Sequence, residues 1–367
     1  MKFSIDRDSL LNALQLVTGV VERRQTLPVL SNVLVVAEEG RLEFTGTDLE
    51  VEILAKAGGV HVDQAGSSTL PARKWLDICR SLPDGSDVQV SQDGEQATVT
   101  SGRSRFTLAT LPASEFPNVE GSQNLASFSI EEGKLKSMIE KVAFSMAHQD
   151  VRYYLNGMLI ERTGEHLRMV ATDGHRLAMV TEPGGDASSE TIQSIIPRKG
   201  VMELARLLHD NDEPVEVSIG TNHFRLQSAS MVFTSKLVDG KFPDYQRVIP
   251  RQGDKIILGA KDTLKGAFSR ASILSNEKYR GVRLQLETGL LRITANNPEQ
   301  EQAEEEVALD YDAGDLEIGF NVSYLIDAIN VLAGQDVRIS LSDPNSSALV
   351  EDPGDETTQY VVMPMRL

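Results

Sequence analysis

Apolar residues recur along the chain at the spacing of a helix, and the same pattern appears three times. In each case a short strand-like stretch precedes apolar positions at i, i+4 and i+7, which is one stripe of an amphipathic helix. Equivalent positions lie 125 and then 129 residues apart. The three stripes are Leu10, Leu14 and Val17; Leu135, Ile139 and Val142; and Leu264, Phe268 and Ala271.

A second helical pattern follows in each repeat, at residues 70–82, 196–208 and 320–332. Between the helices, apolar and polar residues alternate over short stretches, which favours antiparallel sheets with one face against the helices. The sequence therefore predicts an α+β fold of three homologous domains, each with two helices and an antiparallel sheet, at residues 1–122, 123–252 and 253–367. The predicted helices are 6–21, 72–82, 131–148, 198–209, 260–275 and 322–333.

One alternating strand in each repeat ends in a pair of small polar residues. The pairs are Thr47-Asp48, Thr172-Asp173 and Asn296-Asn297. Because Asp and Asn side chains close turns by bonding to nearby backbone, we predict a strand-ending turn at all three places.

The charge is strongly acidic but unevenly distributed. The 367 residues include 36 Lys and Arg against 54 Asp and Glu, a formal charge of −18, which by itself argues against binding nucleic acid. The six predicted helices, however, carry +4, which leaves −22 for the rest of the chain. Either the helices share a surface that tolerates a polyanion, or they only reflect the preference of helices for Lys and Arg.

Several classes of protein are excluded by what the sequence lacks. The single cysteine, Cys79, excludes a disulfide framework and a multi-cysteine metal site. The charges near the start of the chain argue against a signal peptide. The sequence lacks an uninterrupted run of 18 apolar residues, so it predicts no membrane span, and we expect a cytoplasmic protein. Nucleotide-binding and hydrolase motifs are missing, and no cofactor is expected. The remaining enzymatic candidate pairs Asp173 with His175, which could act as a general base. Because the matching turns in the first and third repeats contain no histidine, a structural histidine beside a turn is the favoured interpretation.

Two charged stretches indicate how copies of the chain could associate. An acidic run covers residues 299–306 in the third repeat, and a basic edge region covers 102–106 in the first. A head-to-tail contact between two chains would pair these charges, with Ile273 and Leu274 as an apolar anchor. The alternative interpretation is that both stretches are ordinary solvated surface.

Long consecutive stretches make the chain resemble the bacterial DNA polymerase III beta subunits, the sliding clamps, over its whole length. They are TLPVLSN (26–32), FTGTDLE (44–50), MAHQDVRYYLNGML (146–159), ATDGHRLA (171–178), FTSKLVDGKFPDY (233–245), ILSNEKYRGVRL (273–284), ANNPEQE (295–301), GFNVSYL (319–325) and YVVMPMRL (360–367).

The resemblance implies a DNA clamp fold, a head-to-tail dimer and a six-domain ring whose helices line the hole. It implies a non-catalytic processivity factor that encircles double-stranded DNA without sequence specificity. Further partners would be the replicative DNA polymerase, other polymerases and repair proteins that carry clamp-binding peptides, and a separate clamp-loader ATPase. A rival interpretation is a protein scaffold that only presents peptide grooves.

The resemblance also implies three sets of site residues. DNA contacts would come from Arg24, Arg73, Gln149, Tyr153, Tyr154, Arg198 and Lys199. The dimer interface would contain Lys74, Arg103, Arg105, Phe106, Ile273, Leu274, Glu299, Glu301, Glu304 and Glu305. A peptide pocket would be formed by Leu155, Thr172, Gly174, His175, Arg176, Leu177, Pro243, Arg247, Val248, Ser347, Val361, Met363, Pro364, Met365 and Arg366.

The C-terminal segment VVMPMRL fits the pocket on its own chemistry. It is apolar, and its two methionines are flexible and polarizable, which suits a surface that accepts several partners. The simpler alternative is a last strand that completes the sheet of the third repeat, and we expect the segment to do both.

Overall fold

The computed structural model describes residues 1–22, 27–117, 123–184, 191–250 and 253–366. Within these residues lie six α-helices, two for each predicted repeat, and each coincides with a predicted helix. They are α1 (Arg7–Thr18), α2 (Ala72–Ser81), α3 (Glu132–Ala143), α4 (Arg198–Leu207), α5 (Lys261–Ser272) and α6 (Val322–Val331). Among the described helices, none has the length and apolar character needed to cross a membrane.

The first helix of each repeat is shorter at its C-terminal end than the sequence pattern predicted. Beyond the helix, a backbone N–H donates to the carbonyl three residues back instead of four, which ends the α-helical register. Apolar residues continue past this point, so the apolar pattern predicted a helix longer than the one that forms. The donor and acceptor pairs are Val21 to Thr18, Ser145 to Val142, and Ser275 to Ser272.

The described strands are short and all pair antiparallel, as predicted. They are β1 (Lys2–Asp6), β2 (Asn32–Glu38), β3 (Arg41–Thr47), β4 (Val51–Ala57), β5 (His61–Gln64), β6 (Gly66–Pro71), β7 (Asp87–Asp93), β8 (Gln96–Ser101), β9 (Ser104–Ala109), β10 (Asn124–Glu131), β11 (Gly157–Arg162), β12 (His166–Thr172), β13 (Arg176–Pro183), β14 (Ile192–Pro197), β15 (Pro214–Gly220), β16 (His223–Gln227), β17 (Met231–Lys236), β18 (Lys255–Ala260), β19 (Gly281–Glu287), β20 (Leu290–Asn296), β21 (Gln302–Ala308), β22 (Leu316–Asn321), β23 (Asp336–Leu341), β24 (Ala348–Asp352) and β25 (Asp355–Val362).

The chain divides into two compact units, each with one long and one short sheet. The first unit, residues 1–136 and 202–237, contains the sheets β5-β1-β7-β8-β9 and β10-β15-β16-β17-β4-β3-β2-β6. The second unit, residues 137–201 and 238–367, contains the sheets β14-β11-β12-β13-β25-β24-β23-β18 and β21-β20-β19-β22. Strands β9 and β21 therefore lie at the edges of their sheets.

Each long sheet continues from one predicted repeat into the next. In the first unit β17 pairs with β4, with Phe233 opposite Ile53. In the second unit β25 pairs with β13, with Tyr360 opposite Ala178. The final strand thus completes a sheet, as one interpretation of the C-terminal segment required.

The apolar stripes that predicted the helices form the cores. Leu10, Leu14 and Val17 are fully buried, and the Trp75 ring lies 5.6 Å from that of Phe44. Burying one such side chain is worth about 1.5–3 kcal/mol, so the helix stripes fix the helices against the sheets.

Candidate functional site

A surface cleft of about 200 Å³ opens in the second unit and has mostly apolar walls. It lies above a buried cluster that includes Leu177, Phe242, Tyr245 and Val361. The lining residues are Arg152, Tyr154, Leu155, Thr172, Gly174, Arg176, Leu177, Pro243, Asp244, Tyr245, Val248, Val361 and Met363. Apolar walls with a few placed polar groups are typical of a site for a small ligand or a short peptide.

The structure brings nine of the fifteen predicted pocket residues into the lining of this cleft. They are Leu155, Thr172, Gly174, Arg176, Leu177, Pro243, Val248, Val361 and Met363. The other six, His175, Arg247, Ser347, Pro364, Met365 and Arg366, lie outside the lining.

One wall of the cleft is the turn between β12 and β13. The Thr172 hydroxyl donates to the Arg176 carbonyl over 2.6 Å, and Asp173 Oδ1 accepts from the backbone N–H groups of His175 and Arg176. Gly174 has a φ of 86°, in the left-handed region where a side chain is strained. These bonds confirm the predicted strand-ending turn.

The first repeat builds the same turn with a different residue at its tip. Thr47 donates to the Val51 carbonyl over 2.9 Å, and Asp48 Oδ1 accepts from the backbone N–H of Val51. Leu49 occupies the left-handed position, with a φ of 79°. The turn therefore tolerates a side chain at its tip, although a Cβ on Gly174 would lie 3.1 Å from the Arg152 guanidinium.

Arg176 holds the turn against α6 and against the residue that follows α3, so its guanidinium is engaged within the protein. Its guanidinium contacts Asp173 at 3.2 Å and Asp327 of α6 at 2.5 Å, and it donates to the Phe144 carbonyl over 2.8 Å. It also lies 4.6 Å from the centre of the Tyr324 ring. The half-buried Arg176 lines the cleft, and its charge is paired with carboxylates of the protein itself.

Asp173 and His175 are not arranged as an acid–base pair, because each side chain is engaged by other groups. The Asp173 carboxylate accepts from two backbone N–H groups and from Arg176 Nε. The His175 ring stacks on Tyr324, with ring centres 6.5 Å apart. Asp173 therefore closes a turn, and His175 is an exposed side chain beside it that stacks on Tyr324.

The opposite wall, Pro243–Val248, contains two lining residues that sequence reasoning missed. Asp244 pairs with the exposed Arg247 at 2.7 Å, and the ring of Tyr245 is buried in the floor. Burial raises the pKa of Tyr245, whose hydroxyl contacts Glu161 and Arg168. The stretch FPDY at 242–245 is part of FTSKLVDGKFPDY, one of the stretches that carry the family resemblance, but nothing in it indicated these distant partners.

Arg152 also lines the cleft although it was not predicted to do so. Its guanidinium makes two hydrogen bonds to Asp150, at 3.0 and 2.9 Å, and a third to the Asp173 carbonyl. The hydrogen bonds from Arg152 lower the pKa of Asp150 to about 2. The two-residue spacing of Asp150 and Arg152 was the sequence feature from which their ion pair could have been predicted.

The C-terminal segment passes along the cleft after β25 ends. The Met363 N–H donates to the His175 carbonyl over 2.9 Å, and the Met365 N–H donates to Gly319 over 2.8 Å. The Ser347 hydroxyl lies 3.7 Å from the sulfur of Met363. The segment thus completes a sheet and also lines the cleft, which was the combined interpretation.

The residues predicted to contact DNA fall into separate parts of the chain. Gln149, Tyr153 and Tyr154 lie in the segment before β11, and Arg198 fixes that segment by donating to the Met146 carbonyl. Tyr153 is exposed, whereas Tyr154 lines the cleft. Arg73 is exposed in the first turn of α2 and donates to the Val21 carbonyl. Lys199 is half-buried in the first turn of α4. Arg24 lies outside the described residues.

The predicted interface residues lie at or beside two edge strands, in the first turn of α2 and where α5 ends. Arg103 and Arg105 are exposed at β9, with Phe106 half-buried between neighbours; Lys74 is exposed on α2. Glu299 and Glu301 precede the edge strand β21, which carries Glu304 and Glu305. Glu305 is already paired with Arg270 at 2.7 Å in its own chain. Ile273 is 73% exposed where α5 ends, and Leu274 is half-buried.

A metal centre has no support in the part of the chain that the structure describes, since no three His, Cys, Asp or Glu side chains there are grouped to hold an ion.

Comparison with known proteins agrees with this architecture. Three family models match in succession: the N-terminal domain of the DNA polymerase III beta subunit at residues 1–120, its central domain at 129–244 and its C-terminal domain at 246–366. The chain is 56% identical to the beta sliding clamp of Pseudomonas aeruginosa and 52% identical to that of Escherichia coli, over 367 residues and the full length of each protein.

Solved structures give the same result. The crystal structure of the Pseudomonas aeruginosa DNA polymerase III subunit beta superposes with a TM-score of 0.98 at 56% identity. The pol III beta of Caulobacter crescentus superposes with a TM-score of 0.94 at 40% identity. Both alignments cover 100% of each chain.

The repeated two-helix α+β unit, with sheets that continue from one repeat into the next, defines the DNA clamp fold. Within that class, the chain belongs to the family of DNA polymerase III beta subunits. Family membership makes it a DNA sliding clamp, a processivity subunit with no catalytic activity of its own.

Proposed function

We propose that two copies of this chain join head to tail and close a six-domain ring around double-stranded DNA, with the helices facing the duplex. The observation that carries this proposal is the pair of complementary sheet edges. Strand β9 presents Arg105, the turn before it presents Arg103, and strand β21 presents Glu304. An edge strand also has unpaired backbone groups that can bond to a second strand. A head-to-tail contact forms a closed ring only when the rotations between successive units add up to a full turn. Six similar units therefore require about 60° each.

The apolar anchor of this contact is Ile273, assisted by Leu274. Ile273 is 73% exposed in the single chain, although a large apolar side chain at a helix end gains by burial. Glu305 lies 2.7 Å from Arg270 of its own chain, and Glu304 lies 3.7 Å from Arg292 of its own chain. Because the Glu304 contact is the longer and weaker of the two, the exposed Glu304 and Glu299 supply most of the charge that faces the partner. Such rim charges set orientation and association rate more than affinity.

DNA binding is assigned to Arg24, Arg73, Gln149, Tyr153, Tyr154, Arg198 and Lys199. Contacts of this type go mainly to phosphates, which position the duplex without reading its sequence. Weak, salt-dependent contacts suit a ring that must slide. Of this set Tyr154 is half-buried at the cleft, so we expect it to contribute less than the exposed Tyr153.

The cleft is proposed to bind short peptide segments of the replicative DNA polymerase, the clamp-loader ATPase, and other polymerases and repair proteins. Its apolar walls would take apolar anchor side chains, and Met363 can adapt to several of them. Because all these partners would use one cleft, they should compete with one another. We place the domain limits at 1–122, 123–252 and 253–367 and the protein in the cytoplasm.

Charge reversal tests the head-to-tail ring directly. One variant carries Arg103→Glu and Arg105→Glu, and the other carries Glu299→Lys and Glu304→Lys. Each variant alone would bring like charges together and should sediment as a monomer. Mixed in equal amounts, they restore opposite charges at both contacts and should form only a heterodimer.

Two outcomes would contradict the proposal. Variants that each remain dimeric would show that these edges do not meet. A mixture that stays monomeric, while both variants are folded by circular dichroism, would show that the contact is not head to tail.

A further inference from the structure

Tyr245 connects the cleft to the interior of the second unit. Its ring lies in the buried cluster with Leu177 and Val361, and it belongs to the wall Pro243–Val248. Only 4% of its surface is exposed. The residue therefore forms part of the floor of the cleft and, at the same time, is the point where this wall enters the core.

The hydroxyl of Tyr245 is the polar attachment of this wall. It donates to Glu161 Oε1 over 2.9 Å and accepts from Arg168 Nη1 over 2.8 Å. Among the residues that the structure describes, the other hydrogen bonds of residues 239–250 stay inside this segment, such as that from the Arg247 N–H to the Asp244 carbonyl. Apolar packing of Phe242 and of the Tyr245 ring holds the wall on the core, and Glu161 and Arg168 fix the position of the Tyr245 hydroxyl.

Glu161 is itself held firmly. It is 5% exposed, lies 3.2 Å from Arg168, accepts from Gln193 over 2.6 Å, and has His166 at 3.4 Å. Burial acts to raise the pKa of Glu161. The hydrogen bonds from Gln193, Tyr245 and His166 and the charge of Arg168 outweigh this effect, so the pKa lies below its ordinary value. A buried carboxylate persists only with such partners, so its geometry is well determined.

The repeat fold does not require this arrangement. Glu161 and Arg168 are cross-strand partners between β11 and β12. At the matching cross-strand pair of the first repeat, between β2 and β3, the residues are Val36 and Glu43. Two strands of this type pair without an acid–arginine contact, so stability of the sheet alone does not account for the contact in the second repeat.

We propose that Glu161 and Arg168 are positioning residues for peptide binding, which act through the Tyr245 hydroxyl to hold the wall Pro243–Val248 in its open-cleft position. This rests on the proposed use of the cleft for peptides. Neither residue lines the cleft, and neither is expected to touch the peptide.

The test compares Glu161→Gln, Tyr245→Phe and the double variant. The probe is a fluorescein-labelled peptide from the replicative polymerase, measured by fluorescence anisotropy well below the unfolding temperature. Each single variant should bind about five- to tenfold more weakly, which corresponds to about 1–1.4 kcal/mol and lies within the net range of an ordinary hydrogen bond. Because both act on the same oxygen, the double variant should bind no more weakly than Tyr245→Phe alone.

Glu317→Gln is the matched control. Glu317 also accepts hydrogen bonds from an arginine and a glutamine, Arg283 at 2.5 Å and Gln285 at 3.0 Å, but it is exposed and outside the cleft lining. Its replacement should leave peptide affinity unchanged.

Three results would overturn the inference. Unchanged peptide affinity in folded Glu161→Gln and Tyr245→Phe would exclude a positioning role while leaving the peptide cleft intact. Multiplied effects in the double variant would show that Glu161 acts by another route than Tyr245. Failure of the wild-type protein to bind the peptide would reject the proposed use of the cleft and this inference with it.

Discussion

Replacing Ile273 and Leu274 with alanine should convert the proposed dimer into folded monomers. Burying a whole Ile or Leu side chain is worth about 1.5–3 kcal/mol. Since Ile273 is 73% exposed in the single chain and Leu274 is half-buried, truncating both removes about 2–4 kcal/mol from each contact. That loss weakens each contact by a factor of about 30 to 700.

The fold itself should survive this double replacement. Ile273 follows the last residue of α5, and surface replacements of this kind usually change stability by less than about 0.5 kcal/mol. Sedimentation velocity over a range of concentrations measures the dimer, and the thermal unfolding midpoint measures the fold.

A matched control removes two other exposed apolar side chains. Ile256 and Leu258 are 42% and 52% exposed on β18, at the edge of a different sheet. Ile256→Ala with Leu258→Ala should leave the dimer unchanged. A dimer that persists at the lowest concentrations in the Ile273 and Leu274 variant would refute the proposed anchor.

Four further predictions concern DNA, the cleft and pH. Arg73→Ala or Lys199→Ala should weaken DNA binding equally for all sequences, each reducing the salt slope by about 1, and a strong sequence dependence would contradict this. Deleting residues 363–367 should abolish polymerase stimulation and loader binding while the dimer persists; unchanged peptide affinity by calorimetry would reject the cleft. Gly174→Ala should fold but bind peptide more weakly, because its φ of 86° strains a side chain and its Cβ crowds the arginine beside it. Burial acts to raise the pKa of Asp355, but its hydrogen bonds outweigh this effect and lower the pKa to about 2. Its contribution to stability should therefore be present above pH 4 and lost between about pH 4 and 2. Thermal unfolding of Asp355→Asn should show a smaller loss of stability over this pH range.

The helices and turns could be predicted from sequence because their causes are local. Three apolar positions at helical spacing define each first helix, and Thr172 with Asp173 closes a turn through bonds to residues no more than four positions away. Helix ends were less accurate, since a switch to bonds three residues back, as at Ser145, leaves the apolar pattern unchanged.

The cleft was only partly accessible from sequence because its supports are distant. The hydroxyl of Tyr245 meets a carboxylate 84 residues earlier in the chain, and Arg176 meets Asp327 151 residues later. No spacing rule connects such positions. Tyr154 shows the same limit: as one of two adjacent tyrosines it was assigned to DNA, and only the fold placed it beside the cleft.

Retention on circular DNA tests the central claim most directly. The protein is loaded by its clamp loader onto nicked circular DNA, separated from free protein by gel filtration at high salt, and then the DNA is cut once. A ring that encircles the duplex should remain on the circle despite the salt and run off within minutes after linearisation, whereas blocking both ends with bound protein should retain it. Equal loss from circular and linear DNA would contradict encirclement and would leave a protein that holds DNA by surface contacts alone.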